Sequence, residues 1–307
     1  MLSNTARVRY IKLGERGRWE ERCLTHGVIH IGFGSARPDR LAACFAGRWD
    51  DVRNSFVAEG ASPGTATRST NELRFFFVDD GATVWISFIG QRLYWGRMGP
   101  GRPAPVADLD GVTRKVEGGW RSTDLNGDSL TMDRLSGALT KLVGYRGTSC
   151  AVEGGVRDYL IRRINGQKTP EVERAIAATT ELTAAVTGLM TLLEPKDFEL
   201  LVDLVFTNSG WRRINVVGKT QKTLDLDLIL PSTGERALVQ VKSETSSREL
   251  AEYQARIDYS LYHRMFFVFH SGEAETLDSR VSVIGPNKLA NLIIDAGLTN
   301  WLIGKVS

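Results

Sequence analysis

Short apolar runs about ten residues apart open the chain, each closed by Gly, Asp or Asn: VRYIKL, VIHIGF, LRFFFV, TVWISFI and RLYWGRM. That rhythm predicts short strands. ISFIGQRLYWGRM predicts a hairpin turning at Gly90, and RFFFVDDGATVWISF predicts a second around Asp79, Asp80 and Gly81. Pro100, Pro103 and Pro105 mark MGPGRPAP as a loop, because proline breaks a strand ladder. Residues 1–165 therefore read as a β-rich module, in the form of a small barrel.

From Thr169 the apolar period lengthens to that of a helix. TPEVERAIAATTELTAAVTGLMTLL begins with an N-cap threonine, a first-turn proline and early glutamates, and residues 166–193 read as a helical connector. EPKDFELLVDLVFTNSG predicts another helix, ended by Gly210. WRRINVV, TLDLDLIL and ALVQVKS predict three strands, SSRELAEYQARIDYSLYH a helix capped by Ser246 or Ser247, RMFFVFH and VSVIG strands, and NKLANLIIDAG a closing helix. The expected fold is α+β in two domains, with residues 194–307 forming an α/β core around a central mixed sheet.

Composition adds constraints. With 42% apolar and 24% charged residues the chain has a globular balance, and no apolar run approaches the roughly 18 residues of a membrane span. The opening MLSNTARVRY lacks the pattern of a secretory leader, and Cys23, Cys44 and Cys150 lack metal-type spacing. The expectation is a cytoplasmic protein without zinc. Residues 1–167 carry 24 Lys and Arg against 18 Asp and Glu, a net of +6, whereas residues 168–307 carry 15 against 18, a net of −3. Of the 24 cations, 21 are Arg, whose planar fork suits phosphates and guanine edges. Phosphate-binding Gly-rich loops and Ser or Cys triads are absent, so NTP use and protease chemistry have no support.

The chemistry gathers in LDLDLILPSTGERALVQVKSETS, residues 224–246, where Asp225 and Asp227 precede Gln240 and Lys242 across a turn. Phosphodiester hydrolysis needs an oxygen-liganded divalent metal and a cation facing the phosphate. Asp227, Gln240 and Lys242 supply these types on adjacent strands, Asp225 shares the face of Asp227 by alternation, and Glu199 adds a carboxylate from the preceding helix.

These residues resemble the Mrr-like restriction endonuclease branch of the PD-(D/E)XK nucleases. DFELLVDLVFTNSGW is similar to the family's opening helix and carries its glutamate onto Glu199. LDLIL carries the metal-binding aspartate onto Asp227, and VQVK carries the Gln-x-Lys form of the signature onto Gln240 and Lys242. GKTQKTLDLD lacks the family's Gly-Asp-Gly-Gly lead, which leaves Asp225 beside Asp227 as the alternative principal ligand. The resemblance covers about the last 110 residues, ending with VSVIGPNKLANLIIDAG. It implies a Mg²⁺-dependent endonuclease, with Mn²⁺ as a substitute, that acts on double-stranded DNA as a homodimer in a type II or type IV restriction system.

The basic first module would then read DNA. YIKLGERGRWEE and YRGTSC resemble parts of PUA-like or EVE-like modules, which implies recognition of a modified cytosine flipped into an aromatic pocket. Trp85, Tyr94 and Trp95 are the candidate stacking residues, with Asp79, Asp80 or Asn71 as hydrogen-bonding partners, and Arg92 and Arg97 are among the arginines placed for phosphate and groove contacts. Two other readings are a repair or Holliday-junction nuclease, and a DNA-binding protein with a degenerate nuclease fold.

Overall fold

In the computed structural model, residues 1–106, 110–214 and 225–307 are described, and contacts divide the chain into two compact units, Met1–Thr169 and Pro170–Ser307. Both mix helices and strands. In the first, β1 (Val8–Ile11) leads to α1 (Glu20–His26) and β2 (Val28–Ile31). Three helices follow: α2 (Pro38–Phe45), α3 (Trp49–Ala58) and α4 (Pro63–Val78). Then come β3 (Val84–Ile89), β4 (Arg92–Arg97), β5 (Ala104–Pro105), β6 (Val112–Lys115), α5 (Gly137–Thr140), β7 (Ser149–Ala151) and α6 (Gly154–Ile164). One sheet runs β4-β3-β1-β7 with β1 and β3 parallel, and a second runs β2-β6-β5.

The hairpin turning at Gly90 is present as β3–β4, with Ile89 opposite Arg92 and Gly90 at φ 57°. The hairpin around Asp79 is not. RFFFV lies in α4, so the β-rich expectation for residues 1–165 is corrected to a unit with more helix than strand. The physical reason lies upstream, where the Ser62 side chain accepts a hydrogen bond from the Thr65 backbone N–H and Pro63 occupies the first turn. Ala66, Leu73 and Phe76 then fall on one buried stripe at helical spacing, while Phe75 is left half exposed. Three consecutive phenylalanines suit either period, and the cap decides.

A buried ion pair ties α4 to this sheet. Glu72 bonds the Ser149 hydroxyl and lies 3.7 Å from the Arg9 guanidinium. Burial nevertheless holds its carboxyl above the usual range, outweighing Ser149 and Arg9.

The second unit begins with α7 (Pro170–Met190), α8 (Pro195–Asn208), β8 (Arg212–Arg213), β9 (Leu226–Leu230) and β10 (Glu235–Thr245). It continues through α9 (Ser247–Gln254), β11 (Arg264–Gly272), β12 (Val281–Ile284), α10 (Pro286–Asp295) and α11 (Thr299–Val306). The sheet order is β12-β11-β10-β9-β8. β10, β11 and β12 are parallel to one another, and β9 is antiparallel to both β8 and β10. The expected central mixed sheet is therefore present. The end of WRRINVV and the start of TLDLDLIL lie outside the described residues.

Two expectations change here. The helix assigned as a connector belongs to this unit: Val186 and Met190 of α7 join the core made by α8, α10 and the sheet. The helix after β10 is also shorter than the sequence period suggested, ending at Gln254.

The α4 assignment makes a direct test. Phe76→Ala is expected to cost about 3–5 kcal/mol, as for a fully buried phenylalanine, whereas Phe75→Ala costs under about 1 kcal/mol. Urea unfolding of the two variants checks this, and equal losses would contradict the helical stripe.

Candidate functional site

The β9–β10 ladder sorts side chains onto two faces. Leu226 and Leu228 of β9 and Ala237, Val239 and Val241 of β10 enter the core with α7 and α8. Period-two alternation sends Asp225, Asp227, Arg236, Gln240 and Lys242 to the opposite face. Leu238 pairs with Asp227 and Val239 with Leu226, so the next step of the register brings Gln240 across from Asp225.

Asp225 is the centre of one group. Its Oδ2 accepts a short hydrogen bond from Gln240 Nε2 and another, at 2.7 Å, from the Val241 backbone N–H. Burial pushes the Asp225 carboxyl up, against the lowering effects of the Val241 N–H, the Lys242 charge and the Gln240 amide. Gln240 is 3% exposed and its Oε1 is buried without a hydrogen-bond partner. A buried, unpaired amide oxygen beside a desolvated carboxylate is costly unless something cationic lies against it.

Asp227 belongs to a different group. Its Oδ2 accepts from Arg236 Nη2 at 2.9 Å, and Tyr262 approaches the same carboxylate. The Tyr262 hydroxyl is pushed up first by burial and then by the Asp227 charge. Asp227 Oδ1 is buried without a partner. The sequence prefers Asp227 as the principal metal ligand with Asp225 as the alternative, and it is Asp225 that lies beside Gln240. The distance of Asp227 from LIL along the chain matched the family, but the ladder puts Asp227 opposite Leu238 and Asp225 opposite Gln240.

Lys242 lies two residues along from Gln240 on the same face. Its Nζ sits 2.9 Å from Glu249 Oε1 of α9 and 4.8 Å from the centre of the Tyr253 ring. Burial depresses the ammonium, but hydrogen bonds to Tyr253 and Glu249 outweigh it and leave the pKa raised, so Lys242 is charged at neutral pH. The lysine in turn holds Glu249 below the usual carboxylate range, and Thr245 donates to Glu249 Oε2 at 3.0 Å.

Glu199 is not brought to this group. It is exposed on α8, whose packed residues, Phe198, Leu201 and Val202, face the other side of the sheet, and no hydrogen bond or ion pair joins it to Asp225, Gln240 or Lys242. Sequence reasoning missed Glu249. Its signal was the capping box of α9, where Ser246 caps the helix and accepts from the Glu249 N–H.

Among the described residues, no three His, Cys, Asp or Glu side chains gather into a metal-type group. The hard oxygens on this face are those of Asp225, whose Oδ2 faces the Gln240 amide N–H, the orphaned Gln240 Oε1 and, in its own group, Asp227 Oδ1. Such a set suits Mg²⁺, which takes one or two carboxylates and completes its shell with water.

The proposed base pocket in the first unit does not assemble. Trp85 pairs with Gly96 and Trp95 with Ile86, so the two indoles face opposite sides of the sheet. Trp85 is fully buried and donates from Nε1 to Asp79 Oδ2 at 2.9 Å, while Asp79 Oδ1 accepts from the Gly81 N–H. Trp95 is buried and donates to the Thr123 carbonyl at 2.8 Å. These are core side chains with satisfied polar atoms. Tyr94 and Arg97 are half-buried on β4, and Arg92 is exposed near the turn.

Comparison of the chain with protein-family models, with curated proteins and with solved structures finds no match.

The raised Asp225 pKa has a signed consequence. Between its unfolded and folded pKa values the native state binds more protons than the unfolded state, so stability falls as pH rises through that window. Asp225→Asn keeps an oxygen for the Val241 N–H and removes the charge. Thermal melts are expected to place the variant above the parent at pH 7, with the gap closing towards pH 4. A variant less stable than the parent at pH 7 would overturn the assignment.

Proposed function

We propose that this chain is a metal-dependent DNA endonuclease of the Mrr-like, PD-(D/E)XK kind. The second unit hydrolyses the phosphodiester, and the first meets the DNA. The observation carrying this reading is the convergence of a half-buried Asp225, the Gln240 amide and the Lys242 ammonium on one sheet face, in the Asp, Gln-x-Lys order that the sequence resemblance implies. The mixed sheet, with an antiparallel β9–β10 pair flanked by the parallel β11 and β12, is a frame compatible with it.

Within this reading Asp225 and Gln240 Oε1 would hold Mg²⁺ or Mn²⁺, which would supply Lewis-acid polarisation of the phosphate. The protein's own contribution is electrostatic and positional. Gln240, fixed by Asp225, presents a carbonyl oxygen that no protein group satisfies. Lys242, kept protonated by Glu249 and Tyr253, offsets negative charge on a phosphate at that face and orients an attacking water. Asp227, engaged by Arg236, shapes the edge of the site. Cutting both strands calls for a second copy of the chain. The biological setting would be restriction, directed at a specific sequence or at modified cytosine.

One observation favours a second reading, a DNA-binding protein that does not cut. Glu249 engages Lys242 at 2.9 Å, so the ammonium already has a protein partner.

Plasmid cleavage with Mg²⁺ separates the two, using matched plasmids with unmodified and with methylated or hydroxymethylated cytosine. The parent is expected to cut in a metal-dependent way. Lys242→Ala and Asp225→Asn should each lose more than about 100-fold, as when one member of a cooperating catalytic set is removed. Asp227→Asn should lose less than Asp225→Asn. DNA affinity that is unaffected by Lys242→Ala, with no metal-dependent cleavage by the parent on either plasmid or on branched DNA, would leave the non-cutting reading.

A further inference from the structure

A concave site lies wholly within the first unit. It is a cavity of about 460 Å³, in the range that small ligands occupy, formed where the chain leaves β1, where it leaves β2, and where it approaches β7. Lys12, Arg16, Arg18 and Arg146 line it, against a single carboxylate, Glu15. Arg18 stacks 4.5 Å over Trp19, another lining residue. Among the described residues, the Lys12, Arg16 and Arg146 side chains have no ion pair and no hydrogen bond. Four cations against one carboxylate around one hollow repel one another, and an anion entering it relieves that repulsion.

The backbone gives an independent observation. Among the described residues, the two non-glycine residues with positive φ are Arg16 (φ 51°) and Phe33 (φ 65°), and both line this cavity. L-residues adopt that region at a cost, and such strain concentrates at binding sites. The strain is also held in place. Buried Arg40 donates from Nη1 to the Phe33 carbonyl at 2.6 Å and from Nε to Ser55 Oγ at 2.9 Å, and pairs with Glu59 at 2.8 Å. Gly14, at φ 88°, leaves no room for a side chain, since a Cβ there would lie 2.8 Å from Arg18 and 2.9 Å from Trp19. The cationic groups are therefore set on a pre-shaped frame.

We infer that this cavity is a phosphate site for a nucleotide, in which Lys12, Arg16 and Arg146 contact the phosphate oxygens and Phe33 lies beside them as an apolar wall. The inference deepens the reading of the first unit as the part that meets nucleic acid, and it rests on that reading for a strand rather than a free nucleotide as the source of the phosphate.

The test uses the full chain with three probes: a labelled DNA duplex, dCMP and inorganic phosphate. Lys12→Ala/Arg146→Ala is expected to weaken binding of the preferred probe at least about 10-fold and, for DNA, to lower the salt slope by about 2, one per lost phosphate contact. Arg16→Gly suits the left-handed backbone, so it should weaken binding while leaving the melting temperature equal or higher. That outcome separates loss of a ligand contact from loss of fold. Tighter binding of the duplex assigns the strand, and binding of dCMP or phosphate alone assigns the free ligand; either supports the site. Folded variants that bind every probe within twofold of the parent overturn it, as does a parent that binds none. Parent cleavage of plasmid with unaffected pocket variants removes the phosphate site alone. Phosphate binding that the variants lose, in a protein that cuts no DNA, keeps the site and removes the nuclease reading.

Discussion

Two-sided burial of the β9–β10 ladder is the constraint on which the second unit depends. One face must be apolar enough to pack against α7 and α8, and Leu226, Leu228, Ala237, Val239 and Val241 supply it. Side-chain alternation then gives Asp225, Asp227, Arg236, Gln240 and Lys242 no choice of side, and a slip of one residue would drive every charge into the apolar layer. The polar face is thus specified by the hydrophobic one.

What those polar groups do follows from how well they satisfy one another. Asp225 gains two donors and is still left with a raised pKa, because desolvation outweighs them. Gln240 gives its N–H to Asp225 and has nothing for its oxygen. A cluster built only for stability would close this circuit, since an unpaired buried acceptor costs about 1–3 kcal/mol. Lys242 differs, being fully engaged by Glu249 and Tyr253, which fixes its charge and its position together.

Much of the second unit was legible because its elements are short, strongly patterned and punctuated by glycine and proline. The aspartate facing Gln240 was harder to read. Asp225 and Asp227 share strand, face and neighbours in sequence, and only the ladder register distinguishes them. Glu199 resembled a ligand by its place in a helix, yet orientation about a helix axis depends on which stripe finds the core, and Phe198, Leu201 and Val202 took that role. In the first unit, RFFFV carried no period that separates helix from strand, and the decision was made by Ser62 and Pro63 upstream. Trp85 and Trp95 looked like a pair because they border one turn. Their registers send them to opposite sides of the sheet.

Arg40 joins places that sequence distance keeps apart. A single buried guanidinium touches the carbonyl of Phe33, the hydroxyl of Ser55 inside α3 and the carboxylate of Glu59 just beyond it. Arg40 thus links the loop at Phe33 to that helix through one side chain. Opening of that loop therefore carries the cost of releasing Arg40 from the helix behind it.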